Sequence, residues 1–333
     1  MPEPLKPSPR WTARELRRDI TARAEHLART QALLYDTSPG ADPAVLFGRE
    51  EAEPGQPARH GNFHPAAYAG ICANPAWLRR LGKPHTASRR SRARKDWQWM
   101  ELDSAVSSDA LLMNIFCHPQ VFDGNCLAQP IAALLNVDPG AAPCFGARPG
   151  VPLKPSTAAR TSRKKTASTE STHPVDRTEI DLTLSTASAT LFLEAKLTES
   201  DFQTAAPALI DRYRDLDAVF DPARLPRRVL LPPPLPPNVD PDDPTVNLPP
   251  RPTRIRIGGY QLIRNVLAAY SADASFCVLV DGRRYDLIES WFTVLSAVRS
   301  ASFATRLKLL TWQELAGTLP DDLQHFLAEK YGI

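Results

Sequence analysis

Apolar and polar positions along the chain fall into stretches with one face to bury, separated by stretches with none. Residues 12–34, TARELRRDITARAEHLARTQALL, place Leu16, Ile20, Ala24, Leu27 and Leu34 near helical spacing behind a capping Thr12, which predicts an amphipathic helix. Residues 35–66 are rich in Gly, Pro and acids and predict a loop. Residues 66–81 are helical in pattern with a break at Pro75. SSDALLMNIFCHP, residues 107–119, has a Ser/Asp start, an apolar body and a Pro stop; this predicts a helix whose first turn lies upstream, near Glu101. Residues 120–150 read as short elements around Gly and Pro, and 204–220 as mixed helix. TEIDLTL (178–184) and TLFLEAKL (190–197) alternate in polarity across a short turn, STASA, and predict two strands. Beyond them, 258–272 predicts a helix, 275–281 a strand, 285–300 a helix, 306–312 a strand and 321–333 a closing helix. Strands alternating with helices indicate an α/β layer with some parallel pairing.

The 333 residues suffice for one large domain or two ordinary ones, and 43% hydrophobic content makes the bulk globular. A formal charge of +3 means that local cationic runs matter more than the total. Two such runs stand out, RRLGKPHTASRRSRARK (79–95) and the polar, basic 155–174. Each suits either a solvated loop or an arm that touches phosphates. Many of the 33 prolines cluster in 225–252, where neither a helix nor a central strand is compatible with them; that segment reads as an insertion. The five cysteines are widely spaced without a CxxC pair, which indicates neither a disulfide framework nor a structural zinc site. His64, His118 and His173 are scattered and read as structural or exposed. No apolar run is long enough to span a membrane, and the start lacks a leader's apolar region; the expectation is a cytoplasmic protein without membrane contact.

The chemistry gathers on the hairpin. Side chains alternate at period two along a strand, and opposed residues share a face. If the apolar faces coincide, Leu182 opposes Leu193, Asp181 opposes Glu194 and Glu179 opposes Lys196. Slips by two keep Asp181, Glu194 and Lys196 on one face in any allowed register. Two opposed carboxylates repel, and a divalent cation between them removes that cost; hard oxygen donors suit magnesium. Lys196 is then placed to orient or deprotonate a water, or to stabilise charge on a phosphate. The plainer alternative is a solvated face with a cross-strand ion pair from Lys196 to Glu179 or Asp181. Phe192 on the same face speaks against it, because a solvated face is usually polar throughout.

Asp181, twelve residues, then Glu194-Ala195-Lys196 resembles the PD-(D/E)XK motif of restriction-endonuclease-like nucleases, although Ile180 stands where a Pro is usual. The order of elements is also similar: a helix at 107–117, strands at 178–184 and 190–197, a helix at 258–272 and a strand at 275–281. The resemblance covers about 99–333 and points to a bacterial branch of the superfamily. It implies an α/β fold with a central mixed sheet flanked by helices, here carrying an N-terminal helical and basic extension (1–98) and the Pro-rich insertion within a nuclease-like domain (99–333). It further implies a magnesium-dependent endonuclease, with manganese as substitute, acting on DNA in restriction, repair or mobile-element processing. The alternative is an inactive nucleic-acid-binding protein on the same fold. RNA as partner and a homodimer are both compatible with it. By this likeness Asp181 and Glu194 hold the metal with the Ala195 carbonyl, Lys196 positions the attacking water, and Gln261 matches a polar residue on the second core helix. Glu101 and Asp109 are candidates for an added acid from the first helix, Arg264 for a phosphate contact, and Glu199 for either a helix start or catalysis.

Overall fold

The computed structural model describes residues 10–53, 57–84, 100–155, 174–230 and 253–333. Most of both cationic runs (85–95 and 156–173), His173 within the second, and 231–252 of the Pro-rich insertion lie outside the described residues.

Five strands build the central sheet: β1 (Ala142–Ala147), β2 (Ile180–Ser185), β3 (Thr190–Ala195), β4 (Ser275–Val280) and β5 (Leu307–Thr311). Their order across the sheet is β5-β4-β3-β2-β1. β1, β2 and β3 pair antiparallel, whereas β3, β4 and β5 run parallel, so the sheet is mixed. The β2–β3 hairpin has the register expected from its apolar faces, with Leu182 opposite Leu193 and Leu184 opposite Leu191. Sequence patterning misses β1, because its Ala-Pro-Cys-Phe-Gly-Ala run has little alternation and lies at a sheet edge, where Pro is tolerated.

Among the described residues, the helices include α1 (Ala13–Thr30), α2 (Pro65–Ala73), α3 (Pro75–Arg80), α4 (Ser108–Phe116), α5 (Tyr260–Ser271), α6 (Tyr285–Leu295) and α7 (Asp321–Tyr331). Thr12 caps α1 reciprocally with Glu15, and Pro75 opens α3 immediately after α2 ends. One apolar layer joins Leu182, Leu184, Leu191, Leu193 and Leu279 to Ile20 of α1, Ile71 of α2, Leu111 of α4 and Leu327 of α7. The opposite layer joins Phe192, Phe276, Val278 and Val280 to Leu262 and Val266 of α5 and Trp291 of α6. Both faces of the sheet are therefore covered, as parallel pairing requires. Ile180 packs in this second layer rather than with Leu182 and Leu184, so clean alternation stops at the first residue of β2.

Three local expectations change. Residues 35–66 contain paired strands, Tyr35–Thr37 with Val45–Phe47, and Val45, Leu46 and Phe47 are fully buried. Glu101 lies in a 3-10 turn (Glu101–Asp103), and a new cap at Ser107 starts α4, so the helix does not reach back to it. In 204–220 only Pro207–Ile210 and Leu216–Val219 are helical, while Thr204–Ala205 pairs with Arg254–Gly258. The described flanks of the Pro-rich insertion form an antiparallel ribbon, Arg227–Leu230 with Arg254–Gly258. Among the described residues no helix is long and apolar enough to cross a membrane.

Candidate active site

The last residues of β3 set the site. Glu194 occupies the face that carries Phe192, where α5 packs, and is fully buried. β3 ends at Ala195, but the Lys196 N–H still donates to Leu279 O at 2.8 Å and extends the ladder toward β4 by one residue. The Trp312 indole N–H donates to the Lys196 carbonyl at 2.9 Å, which fixes the chain just where the lysine side chain departs. Glu194 and Lys196 lie two apart, share a side, and meet with Oε1 2.9 Å from Nζ.

α5 supplies the second wall. Its start is pinned by N–H bonds from Tyr260 to Gln203 O (3.1 Å) and from Gln261 to Phe202 O (2.9 Å). Gly259 makes the turn into the helix at φ +66°, and a Cβ there would meet Val294 Cγ2 at 2.7 Å; glycine is required on both counts. Gln261 and Asn265, one helical turn apart, then face Glu194 together. Gln261 Nε2 donates to Glu194 Oε1, and Asn265 Nδ2 donates to Oε2 at 2.8 Å. Asn265 Oδ1 in turn accepts from the Thr178 hydroxyl at 2.6 Å. Glu194 is thus held by three side-chain donors, with its orientation locked from α5 and from its own strand.

Asp181 Oδ2 accepts the Ala195 N–H at 2.9 Å, and no donor among the described residues reaches its other oxygen. Asp181, Glu194, Ala195, Lys196 and Gln261 all line one cleft of about 440 Å³. Burial raises the Asp181 carboxyl well above the usual range, and the Glu194 charge adds to the rise. Burial likewise raises Glu194, opposed by Lys196. On Lys196, burial disfavours the ammonium, but Glu194, Glu199 and Asp181 outweigh it and hold the lysine above its ordinary value. The cleft therefore confines two acids in mutual repulsion, partly offset by one cation.

A ring of charge surrounds that centre. Glu179 bonds Arg80 at 2.9 Å, Lys83 at 3.1 Å and Arg148 at 3.0 Å rather than reaching Lys196, contrary to the cross-strand pairing the sequence suggests. Against the effect of its own burial, Lys83 and Arg80 draw its carboxyl down to about 2. Asp109, in the first turn of α4, bonds Arg80 at 2.9 Å and Lys83 at 2.7 Å. Glu101 also lines the cleft, and burial raises its carboxyl. Glu199 begins no helix: it accepts from Ser108 Oγ at 2.8 Å and from the Leu197 N–H at 2.7 Å, and lines the cleft as well. Arg264 is there too, stacked over Tyr260, with its buried Nε lacking a hydrogen-bond partner among the described residues.

Asp181, Glu194, Lys196 and Gln261 converge, and Ala195 contributes an N–H to that cluster. Sequence reasoning overlooks Asn265, although its position one turn after Gln261 is a usable signal. Arg80, Lys83 and Arg148 carry no such signal, because only the tertiary fold brings them to the hairpin. The fold also joins His64 and His118, whose ring centroids lie 5.0 Å apart.

No curated protein and no solved structure is similar enough to this chain to count as a match. A family model described as restriction endonuclease associating with ARP matches residues 44–332, from before α2 to the end of α7 and so across the whole central sheet and its cleft. The mixed sheet flanked by helices is consistent with such a family, and this chain belongs to the restriction-endonuclease-like family whose model it matches.

Proposed function

We propose that the protein is a magnesium-dependent endonuclease that hydrolyses DNA phosphodiester bonds at the β2–β3 hairpin. The carrying observation is the convergence of Asp181, Glu194 and Lys196 in one cleft, with Glu194 Oε1 2.9 Å from Lys196 Nζ. A divalent cation fits the donors present: two repelling carboxylates, an Asp181 oxygen without a donor among the described residues, and a buried Gln261 Oε1 that lacks a partner there. Asp181 and Glu194 would hold it with the Ala195 carbonyl, and all-oxygen donors favour magnesium or manganese over softer metals. When bound, the cation supplies positive charge against the phosphate oxygens and against the departing oxygen.

The remaining work falls to the chain's own groups. Gln261 and Asn265 keep Glu194 in one orientation. Lys196 stays an ammonium and orients the attacking water while countering charge that builds on the phosphate. Water adds to phosphorus as the bond to the 3′ oxygen breaks and a proton from the water ends on that oxygen, so a 3′ hydroxyl and a 5′ phosphate result. Arg264, whose buried Nε has no hydrogen-bond partner among the described residues, suits a flanking phosphate. The ribbon meets the cleft's edge through Thr204, which pairs with Gly258 and follows cleft-lining Gln203. Arg228 stands directly opposite Arg256, and Arg254 shares their face. Arg228 reaches Asp201 at 3.7 Å and Arg256 donates to Thr204 O at 2.9 Å, and a phosphate backbone across that face would engage the remaining donors.

A second reading rests on one observation: both Glu194 oxygens are already engaged by Lys196, Gln261 and Asn265. A site satisfied in this way suits a protein that binds nucleic acid without cutting it. Nicking of supercoiled plasmid, with and without magnesium, decides between the two. Magnesium-dependent nicking by the wild type that disappears in Lys196→Ala supports the nuclease. DNA binding by both proteins with no cleavage by either supports the second reading.

A further inference from the structure

We infer that His64, His118 and Asp322 form a transition-metal site of the zinc class, separate from the hairpin cleft. None of the three lines that cleft; His64 and Asp322 line a different cavity of about 330 Å³. His64 immediately precedes α2, His118 lies just beyond α4, and Asp322 sits in the first turn of α7. Asp322 Oδ2 is 3.5 Å from His118 Nε2 and 3.8 Å from His64 Nε2. The three candidate ligand atoms all lie within 4.8 Å of one another. Ligands at about 2.0–2.1 Å in a tetrahedron stand about 3.4 Å apart, so the two nitrogen–oxygen separations nearly match two edges of such a site.

The backbone contacts of these residues use their other atoms. His64 Nδ1 accepts the Ala66 N–H at 3.3 Å, His118 Nδ1 accepts the Gln120 N–H at 3.3 Å, and Asp322 Oδ1 accepts the Leu323 N–H at 2.9 Å. Each of these contacts uses the atom opposite the one that faces the other two residues. His118 is 1% exposed, and its Nε2 has no hydrogen-bond partner among the described residues. Such an orphaned buried nitrogen is costly without a ligand. At 3.5 and 3.8 Å the carboxylate separations are longer than a normal hydrogen bond.

Two imidazoles and one carboxylate select zinc, cobalt or nickel over magnesium. Ligation through Nε2 moves each remaining ring proton to Nδ1 and releases the two 3.3 Å backbone contacts, which are long and weak. The cavity leaves the fourth position to water. Ligands from three distant parts of the sequence make the ion a clasp between the N-terminal helices and α7.

Zinc titration calorimetry on the full chain, in excess magnesium, tests this with wild type, Asp322→Ala, His64→Gln and Asp181→Asn. The Asp322 side chain is 53% exposed, so its replacement leaves the fold intact, which circular dichroism checks. About one zinc should bind to wild type and to Asp181→Asn, with affinity at least about tenfold weaker in the other two variants. Cobalt in place of zinc should give the intense visible bands of a four-coordinate centre. Absence of zinc binding by wild type overturns the inference. So does equal binding by Asp322→Ala and His64→Gln, or loss of binding only in Asp181→Asn.

Discussion

Asn265 does two things at once: its amide N–H orients Glu194, and its carbonyl takes the Thr178 hydroxyl. Asn265→Ala leaves two buried groups without partners, which should cost about 1–3 kcal/mol each at most. Urea denaturation should show that loss, and cleavage should fall by about 10–100-fold even where the protein remains folded. Asn265→Asp is a sharper variant, since it sets a third acid against Glu194 and should be worse than alanine. The titration of the site has a definite sign. Asp181 and Glu194 are both raised in the folded protein, chiefly by burial. Their contribution to stability is therefore full below the ordinary carboxylate range and is lost as pH rises through the raised values. Metal-free protein should melt at lower temperature as pH climbs above that range, and Asp181→Asn should flatten the dependence. Glu179 behaves oppositely: it is drawn down from 4.5 to about 2, so its ion pairs stabilise above 4.5 and fail only as pH falls toward 2. Thermal melts over a pH series in chelator separate the two trends.

The hairpin was the most legible element. Its register followed from matching two apolar faces, and Leu182 does oppose Leu193. β3 lies between β2 and β4 and is covered on both sides, which explains why so apolar a strand still holds Glu194 and Lys196: they serve its buried end, not a wet surface. β1 was not legible, because an edge strand with Pro143 and Gly146 lacks the alternation of a half-buried one. The 3-10 turn at Glu101 escaped as well, since helix boundaries depend on which Ser caps the chain in three dimensions. Half of the arginine ribbon, Arg227–Leu230, lies in a segment dominated by prolines, and the other half, Arg254–Gly258, lies just beyond it. Its prediction belongs to this scale. Replacing Arg228 and Arg254 by alanine should weaken DNA binding across sequences and lower the salt slope by about two phosphate contacts. Fluorescence anisotropy at several salt concentrations measures that slope, and an unchanged slope removes the ribbon from the DNA path.

At the scale of the molecule, the order of β2, β3, α5, β4, α6, β5 and α7 could be anticipated from periodicity, although the short strands and helices between them could not, and it places Gln261 of α5 against the end of β3. What periodicity does not carry is the packing of distant segments. Leu16 and Ile20 of α1 share an apolar layer with Leu193 and with Leu327 of α7, and nothing in their local pattern announces such partners. The same holds for Arg80 and Lys83, which arrive from α3 and the turn after it to neutralise Glu179 and Asp109. His64, His118 and Asp322 are a further case, apart in sequence and together in space.

The central claim is that the acids and the lysine at the end of the hairpin cut DNA with a divalent cation. Its most direct test is the rate of plasmid nicking by wild type and Asp181→Asn at matched DNA occupancy, over a range of magnesium concentrations. The account predicts a rate that rises with magnesium for wild type and vanishes for Asp181→Asn while both stay bound. Magnesium-dependent cleavage that survives intact in Asp181→Asn would contradict it.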